Sequence, residues 1–198
     1  MEEERKRLLK ILKDLSYEEG DFTLVSGKKS TFYIDCKETT LNPEGMYLAG
    51  HLMYAAVRQI PGAQAVGGVS IGGDPLVCAT VMVSYAASDP IFGFFIRKEP
   101  KGHGTNLWVE GGKNLQKGMD VVILEDVVTT GGSSLRAINI AEKEGLNVKG
   151  LVVLLDRLEG GKETIESKGY TYKHIFTLND LRKVSEDPAY TNKNILAV

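Results

Sequence analysis

Two adjacent carboxylates followed by hydroxyls and glycines form the most chemically loaded stretch of this 198-residue chain. Val121, Val122, Ile123 and Leu124 run into Glu125 and Asp126. Val127, Val128, Thr129, Thr130, Gly131, Gly132, Ser133 and Ser134 follow, and then Leu135, Ile138 and Ala141 at helical spacing. This order predicts a buried strand, a phosphate-sized turn and a helix start. Converging backbone N–H groups and the helix dipole make such a start an anion site. Gly131 and Gly132 let the main chain approach a ligand closely, and Thr129, Thr130, Ser133 and Ser134 add hydroxyl donors. Carboxylates would repel a phosphate, so Glu125 and Asp126 are expected to hold sugar hydroxyls or a cation.

Three further stretches carry chemistry. Arg97 and Lys98 end the run at 91–96, and Lys101 and His103 lie around glycines in the segment from 99 to 112, which has no periodicity. A loop of that length and charge suits a cover that closes over a polyanion. Asp156 and Arg157 end an apolar run at residues 151–155, and a guanidinium is shaped for a planar carboxylate. Ser70, Ile71, Gly72, Gly73, Asp74 and Pro75 form a Gly-rich turn after a short apolar strand, a candidate diphosphate contact through the backbone. His51 and His174 read as surface or packing residues.

The elements that must position these groups follow from pattern. Residues 2–15 read as an amphipathic helix with Leu8, Ile11, Leu12 and Leu15 on one face. Two β-rich runs flank Ser26, Gly27, Lys28, Lys29 and Ser30, predicting a hairpin through Phe22 and Tyr33. Asn42 and Pro43 start a helix to about residue 59, burying Met46, Leu52, Met53 and Ala56. Strands are expected at 65–69, 91–96, 121–124, 151–155 and 172–176, alternating with helices after residues 73 and 132 and from residue 178. That alternation predicts an α/β fold: a mostly parallel five-stranded sheet flanked by helices, with ligands at the strands' C-terminal ends. Residues 1–42 are expected to form an N-terminal helix and hood hairpin, completed by C-terminal residues. Residues 43–198 are expected to form the core of a single structural unit.

Bulk properties exclude other classes. A formal net charge of −2 gives no basis for binding nucleic acid or an anionic membrane. No apolar run is long enough to span a bilayer, and the acidic start is unlike a signal peptide. Two cysteines make neither a disulfide framework nor a zinc site, so a reducing cytoplasm is expected. Neither a P-loop nor a G-x-G-x-x-G fingerprint occurs.

The acid-Asp-x-x-Thr-Thr-Gly-Gly-Ser run resembles the 5-phosphoribosyl 1-diphosphate signature of type I phosphoribosyltransferases. Phe-x-Leu-x-Ser-Gly-x-x-Ser-x-x-Tyr at 22–33, Arg-Lys-x-x-Lys-x-His-Gly at 97–104 and Leu-Asp-Arg-x-x-Gly-Gly at 155–161 resemble the orotate phosphoribosyltransferases. The resemblance implies transfer of a phosphoribosyl group to orotate in pyrimidine biosynthesis. It implies that Arg97, Lys98, Lys101 and His103 reach the diphosphate, with Lys101, His103 and Asp126 catalytic. Glu125 and Asp126 would bind the ribose, and Val127 to Ser133, including Val128, Thr129, Thr130, Gly131 and Gly132, the 5-phosphate. Tyr33, Thr129 and Arg157 would bind orotate. Mg²⁺ would ride on diphosphate and ribose oxygens, with no direct protein ligand. A homodimer sharing the 97–104 loop is implied too. The chain departs from the family pattern at Val25, where a lysine is common, and at Ile71 and Gly72, where an aromatic-lysine pair is common. A purine phosphoribosyltransferase and a non-catalytic sensor of 5-phosphoribosyl 1-diphosphate share the central motif and are the alternatives.

Overall fold

A computed structural model describes residues 1–23, 29–100 and 108–186. Helix α1, Glu2–Ser16, has Glu2, Glu3 and Glu4 in its first turn, where the dipole favours them, and buries Leu8, Ile11 and Leu12. Strands β1, Tyr17–Thr23, and β2, Lys29–Ile34, form a separate antiparallel hairpin. Its expected Ser26-Gly27-Lys28 turn and Val25 lie outside the described residues. A short helix α2, Lys37–Thr40, follows. Asn42 then caps α3, Pro43–Val57, its Oδ1 accepting from the Glu44 and Gly45 N–H groups at 3.1 Å each. Leu52, Met53 and Ala56 are buried as expected, but Met46 is only half-buried.

The main sheet holds β3 (Ala65–Val69), β4 (Phe92–Ile96), β5 (Val109–Glu110), β6 (Asp120–Val128), β7 (Asn147–Asp156) and β8 (Thr171–Thr177). Their spatial order is β5-β4-β3-β6-β7-β8. The five expected strands are all parallel, and β5 adds an unforeseen antiparallel edge on β4. Two residues are too few to show alternation, so this sixth strand left no trace in the sequence. Helices α4 (Gly73–Ala86), α5 (Gly132–Lys143), α6 (Gly161–Glu166) and α7 (Leu178–Glu186) complete the described chain.

Both faces of the sheet are covered, which is why its strands read as continuous apolar runs. Val122, Leu124, Val152 and Leu154 face a core shared with α1, α3, α4 and α7. Their neighbours Val121, Ile123, Leu151 and Val153 face a second core with Ala137, Ile138 and Ala141 of α5 and Ile165 of α6. The period of two sends successive residues to opposite cores. Burying each such side chain is worth about 1.5–3 kcal/mol, so the middle of β6 is a rigid base for the acids and the turn at its end.

Candidate active site

Strand β6 does not end at Leu124. It continues through Glu125 and Asp126 to Val128, with Val127 paired to Leu155 and Val128 to Asp156 of β7. The acids are thus held by the sheet itself, and the turn proper is Thr129–Gly131. Gly131 adopts the left-handed region at φ 83°, where a side chain would be strained. No side chain caps the first N–H groups of α5, which are therefore available to an anion. Thr130, Gly132 and Ser133 are exposed around this helix start, and Thr129 is half-buried.

Glu125 is only 6% exposed. Burial, and then the neighbouring Asp126 charge, push its carboxyl up to about 8, while the Ser134 hydroxyl and the Lys98 charge pull the other way. Ser134 donates to Glu125 Oε2 at 3.1 Å. Asp126 is raised as well, chiefly by burial, and the Val127 N–H donating to its Oδ1 at 2.9 Å and the charge of Lys37 oppose this. An acid pair short of positive charge in a dry place favours a ligand rich in hydroxyl donors or accompanied by a cation.

The Gly-rich turn packs directly on this pair. A Cβ at Gly72 would clash with Asp126 Oδ2, so only glycine permits the approach. Ser70 donates to Asp74 Oδ1 at 3.0 Å inside that turn. Lys37 was not foreseen. Its Nζ and its backbone N–H both meet Asp35 Oδ1, at 2.5 and 3.0 Å. Its charge acts on Asp126 and is itself influenced by Tyr33, which places the end of the hairpin on the acid side. An Asp-x-Lys spacing directly after a strand was the available signal.

Arg157 leaves β7 at the sheet's C-terminal edge, and its N–H donates to the Val128 carbonyl at 3.0 Å. Its guanidinium lies 4.8 Å from the centre of the Phe32 ring, and its Nε donates to Glu159 Oε1 at 2.9 Å. Phe32, not Tyr33, is therefore the aromatic against Arg157. Tyr33 points to the other face of the hairpin, is 43% exposed and packs on Phe22 at 5.6 Å between ring centres. Lys98 acts on Glu125, but Arg97 is drawn to the sheet edge by an ion pair with Glu110 at 2.6 Å. Lys101 and His103 lie outside the described residues. His51 is half-buried against Tyr47 and His174 is exposed.

The structure thus brings the acid pair, the uncapped helix start, Gly72, Lys98 and Arg157 to one end of a parallel sheet. The fold and sequence are shared with known proteins. A phosphoribosyl transferase domain model matches residues 76–186. Orotate phosphoribosyltransferase from Sorangium cellulosum (strain So ce56) is 44% identical over 177 residues, covering 89% of this chain and 92% of that one. The Aquifex aeolicus (strain VF5) orotate phosphoribosyltransferase is 43% identical over 181 residues, covering 90% and 97%. The Mycobacterium tuberculosis H37Rv orotate phosphoribosyltransferase, solved in complex with 5-phospho-alpha-D-ribosyl 1-diphosphate, superposes with a TM-score of 0.75 at 31% identity, covering 90% of this chain and 99% of that one. Fold and site define a phosphoribosyltransferase domain. Within that class, the chain belongs to the orotate phosphoribosyltransferase family.

Proposed function

We propose that this chain catalyses Mg²⁺-dependent transfer of a phosphoribosyl group from 5-phosphoribosyl 1-diphosphate to orotate. The products are orotidine 5-phosphate and diphosphate, on the route to pyrimidine nucleotides. The observation that carries the reading is the Glu125–Asp126 pair, Glu125 buried and Asp126 half-buried, set one turn before the uncapped start of α5. A sugar with a diol and a terminal phosphate matches that spacing: the diol on the acids, the phosphate on the Thr129–Ser133 N–H groups and on the Thr130 and Ser133 hydroxyls. In the reaction a ring nitrogen of orotate, entering already deprotonated, forms a bond to the anomeric carbon as the bond to diphosphate breaks.

The leaving group is a polyanion, so charge neutralisation dominates the barrier. Lys98 supplies part of it from the end of β4. Arg97, Lys101 and His103 are assigned the same task on the strength of the sequence, with Arg97 leaving Glu110 to reach the diphosphate. Asp126 orients the ribose with Glu125. Orotate is assigned to the space beside Thr129 and Arg157, which Tyr33 reaches only by turning from Phe22, with residues 1–42 acting as a hood over the core at 43–198.

Among the described residues no three His, Cys, Asp or Glu side chains converge into a metal cage. A hard cation that keeps its waters would be held by diphosphate and ribose oxygens, with Glu125 and Asp126 facing the ribose rather than ligating the ion. Magnesium carried in on the diphosphate supplies charge neutralisation of the departing oxygens.

The described residues also suit a homodimer. Helices α3 and α4 pack on each other and expose Tyr47, Met82 and Tyr85, the last two at 72% and 79%. A second copy covering that face is the proposed partner, with the 97–104 loop shared across it. No helix among the described residues is long and apolar enough to cross a membrane, and both cysteines are free, which suits a reducing cytoplasm.

The test is a spectrophotometric assay of orotate consumption with and without Mg²⁺, beside a panel of adenine, hypoxanthine and guanine assayed for diphosphate release. Orotate is expected to react alone and to need the ion. Turnover of a purine instead of orotate would move the chain to the purine enzymes, and ligand binding without any turnover would leave a sensor.

A further inference from the structure

Asp156 is a buried carboxylate that the reaction above does not use. It is 1% exposed, yet both oxygens are partnered. Oδ1 accepts from the Leu158 N–H at 2.7 Å, and Oδ2 accepts from the Tyr172 hydroxyl at 2.8 Å, across from β7 to β8. Burying such a group is costly unless its bonds are made, so it fixes its surroundings tightly. What it fixes is the turn that presents Arg157. Leu158 sits at φ 60°, an uncommon conformation for a branched residue with 51% exposure, and the bond to Asp156 holds it there. Between these anchors the Arg157 N–H is tied to Val128, and its side chain lies on Phe32.

Glu159 takes the Nε and Nη2 edge of the same guanidinium, both at 2.9 Å from Oε1. The terminal edge of the fork is left for a second carboxylate, and that edge can bind it bidentately.

We propose that Asp156, braced by Tyr172, is a positioning residue for base selection: it aims Arg157 at the carboxylate of the acceptor base without touching the substrate. This rests on the assignment of Arg157 to the base. It predicts a cost confined to one substrate. Removing either partner leaves a buried polar group unpaired, a loss that corresponds to roughly tenfold or more in an equilibrium, and the loosened group is the one that meets the base.

The experiment compares Tyr172→Phe, Asp156→Asn, Asp156→Ala and Arg157→Ala, measuring the Michaelis constants for orotate and for 5-phosphoribosyl 1-diphosphate separately, with thermal unfolding alongside. Tyr172→Phe and Asp156→Ala are expected to raise the orotate constant roughly tenfold while the sugar diphosphate constant stays within about twofold. Asp156→Asn keeps an acceptor for the Leu158 N–H and should restore most of the loss. Tyr172→Phe removes one hydroxyl only and keeps the test open if Asp156→Ala does not fold. If both constants rise together with a fall in melting temperature, Asp156 is a packing group and the inference is overturned. An orotate constant that rises in Arg157→Ala but in neither Asp156→Ala nor Tyr172→Phe also overturns it. An orotate constant unmoved in Arg157→Ala removes instead the assignment of Arg157 to the base.

Discussion

Ser134 donates its hydroxyl to Glu125 Oε2 across 3.1 Å, from the first turn of α5 back to the strand that precedes it. Both residues are buried. The bond closes the strand–turn–helix unit on itself and takes Ser134 out of the phosphate-facing hydroxyls, leaving Thr130 and Ser133 outside.

This geometry sets a pH dependence. Glu125 titrates at about 8 in the folded chain, above the ordinary 4.5, because burial and Asp126 disfavour its charge. Between those values the folded state keeps a proton that the unfolded chain has released. The contribution to stability is therefore full below about pH 4.5 and is lost as pH rises through about 8. Glu125→Gln has no such proton. Thermal unfolding of the ligand-free pair from pH 5 to 9 should show the wild type losing ground steadily to the variant. A constant difference across that range would contradict the buried, protonated acid.

Gly72→Ala tests the close packing of the Gly-rich turn on the acid pair. Its Cβ would be driven into Asp126 Oδ2, so either the turn or the carboxylate must move. Turnover is expected to fall by roughly 10²-fold, as misplacement of a reacting group by about 1 Å does, while the fold survives because Gly72 is not part of either core. Full turnover with an unshifted melting temperature would show that the turn yields freely.

Lys101→Ala tests a residue outside the described part of the chain, on the sequence's authority alone. Turnover should fall far more than binding of the sugar diphosphate, measured by calorimetry. Equal losses in both would mean that Lys101 grips the substrate uniformly and contributes nothing extra in the transition state.

What the sequence made legible was whatever repeats or clusters locally. The parallel strands show as apolar runs, α1 as a 3.6-residue stripe, and the acid pair and its turn as contiguous residues. What it hid was contact between distant residues. Asp156 reads as a neighbour of Arg157, but its partner Tyr172 lies on the next strand, and nothing local joins them. Gly72 reads as part of a backbone contact for diphosphate, and nothing local shows that Asp126 packs against it. Lys37 follows an acid at a spacing common on any surface, and only the fold turns it toward the site. Helix α6 spans six residues, too short for a periodic signal. Val127 and Val128 look like the start of a loop because two acids precede them, yet pairing with β7 keeps them in the sheet.

The hydrogen bond from the Arg157 N–H to the Val128 carbonyl has a practical bearing on redesign. It yokes the segment that meets the acceptor to the segment that meets the sugar's phosphate. Gly161 tightens that yoke, since a methyl group there would press on Val128 Cγ1. An engineer who reshapes residues 156–161 to accept a new heterocycle will disturb the grip on the common donor. Tyr33 and its neighbours on the hairpin belong to a separate small sheet. Altered acceptor preference is best sought there at positions other than Phe32, which lies on Arg157, so that the shared half of the reaction is not loosened.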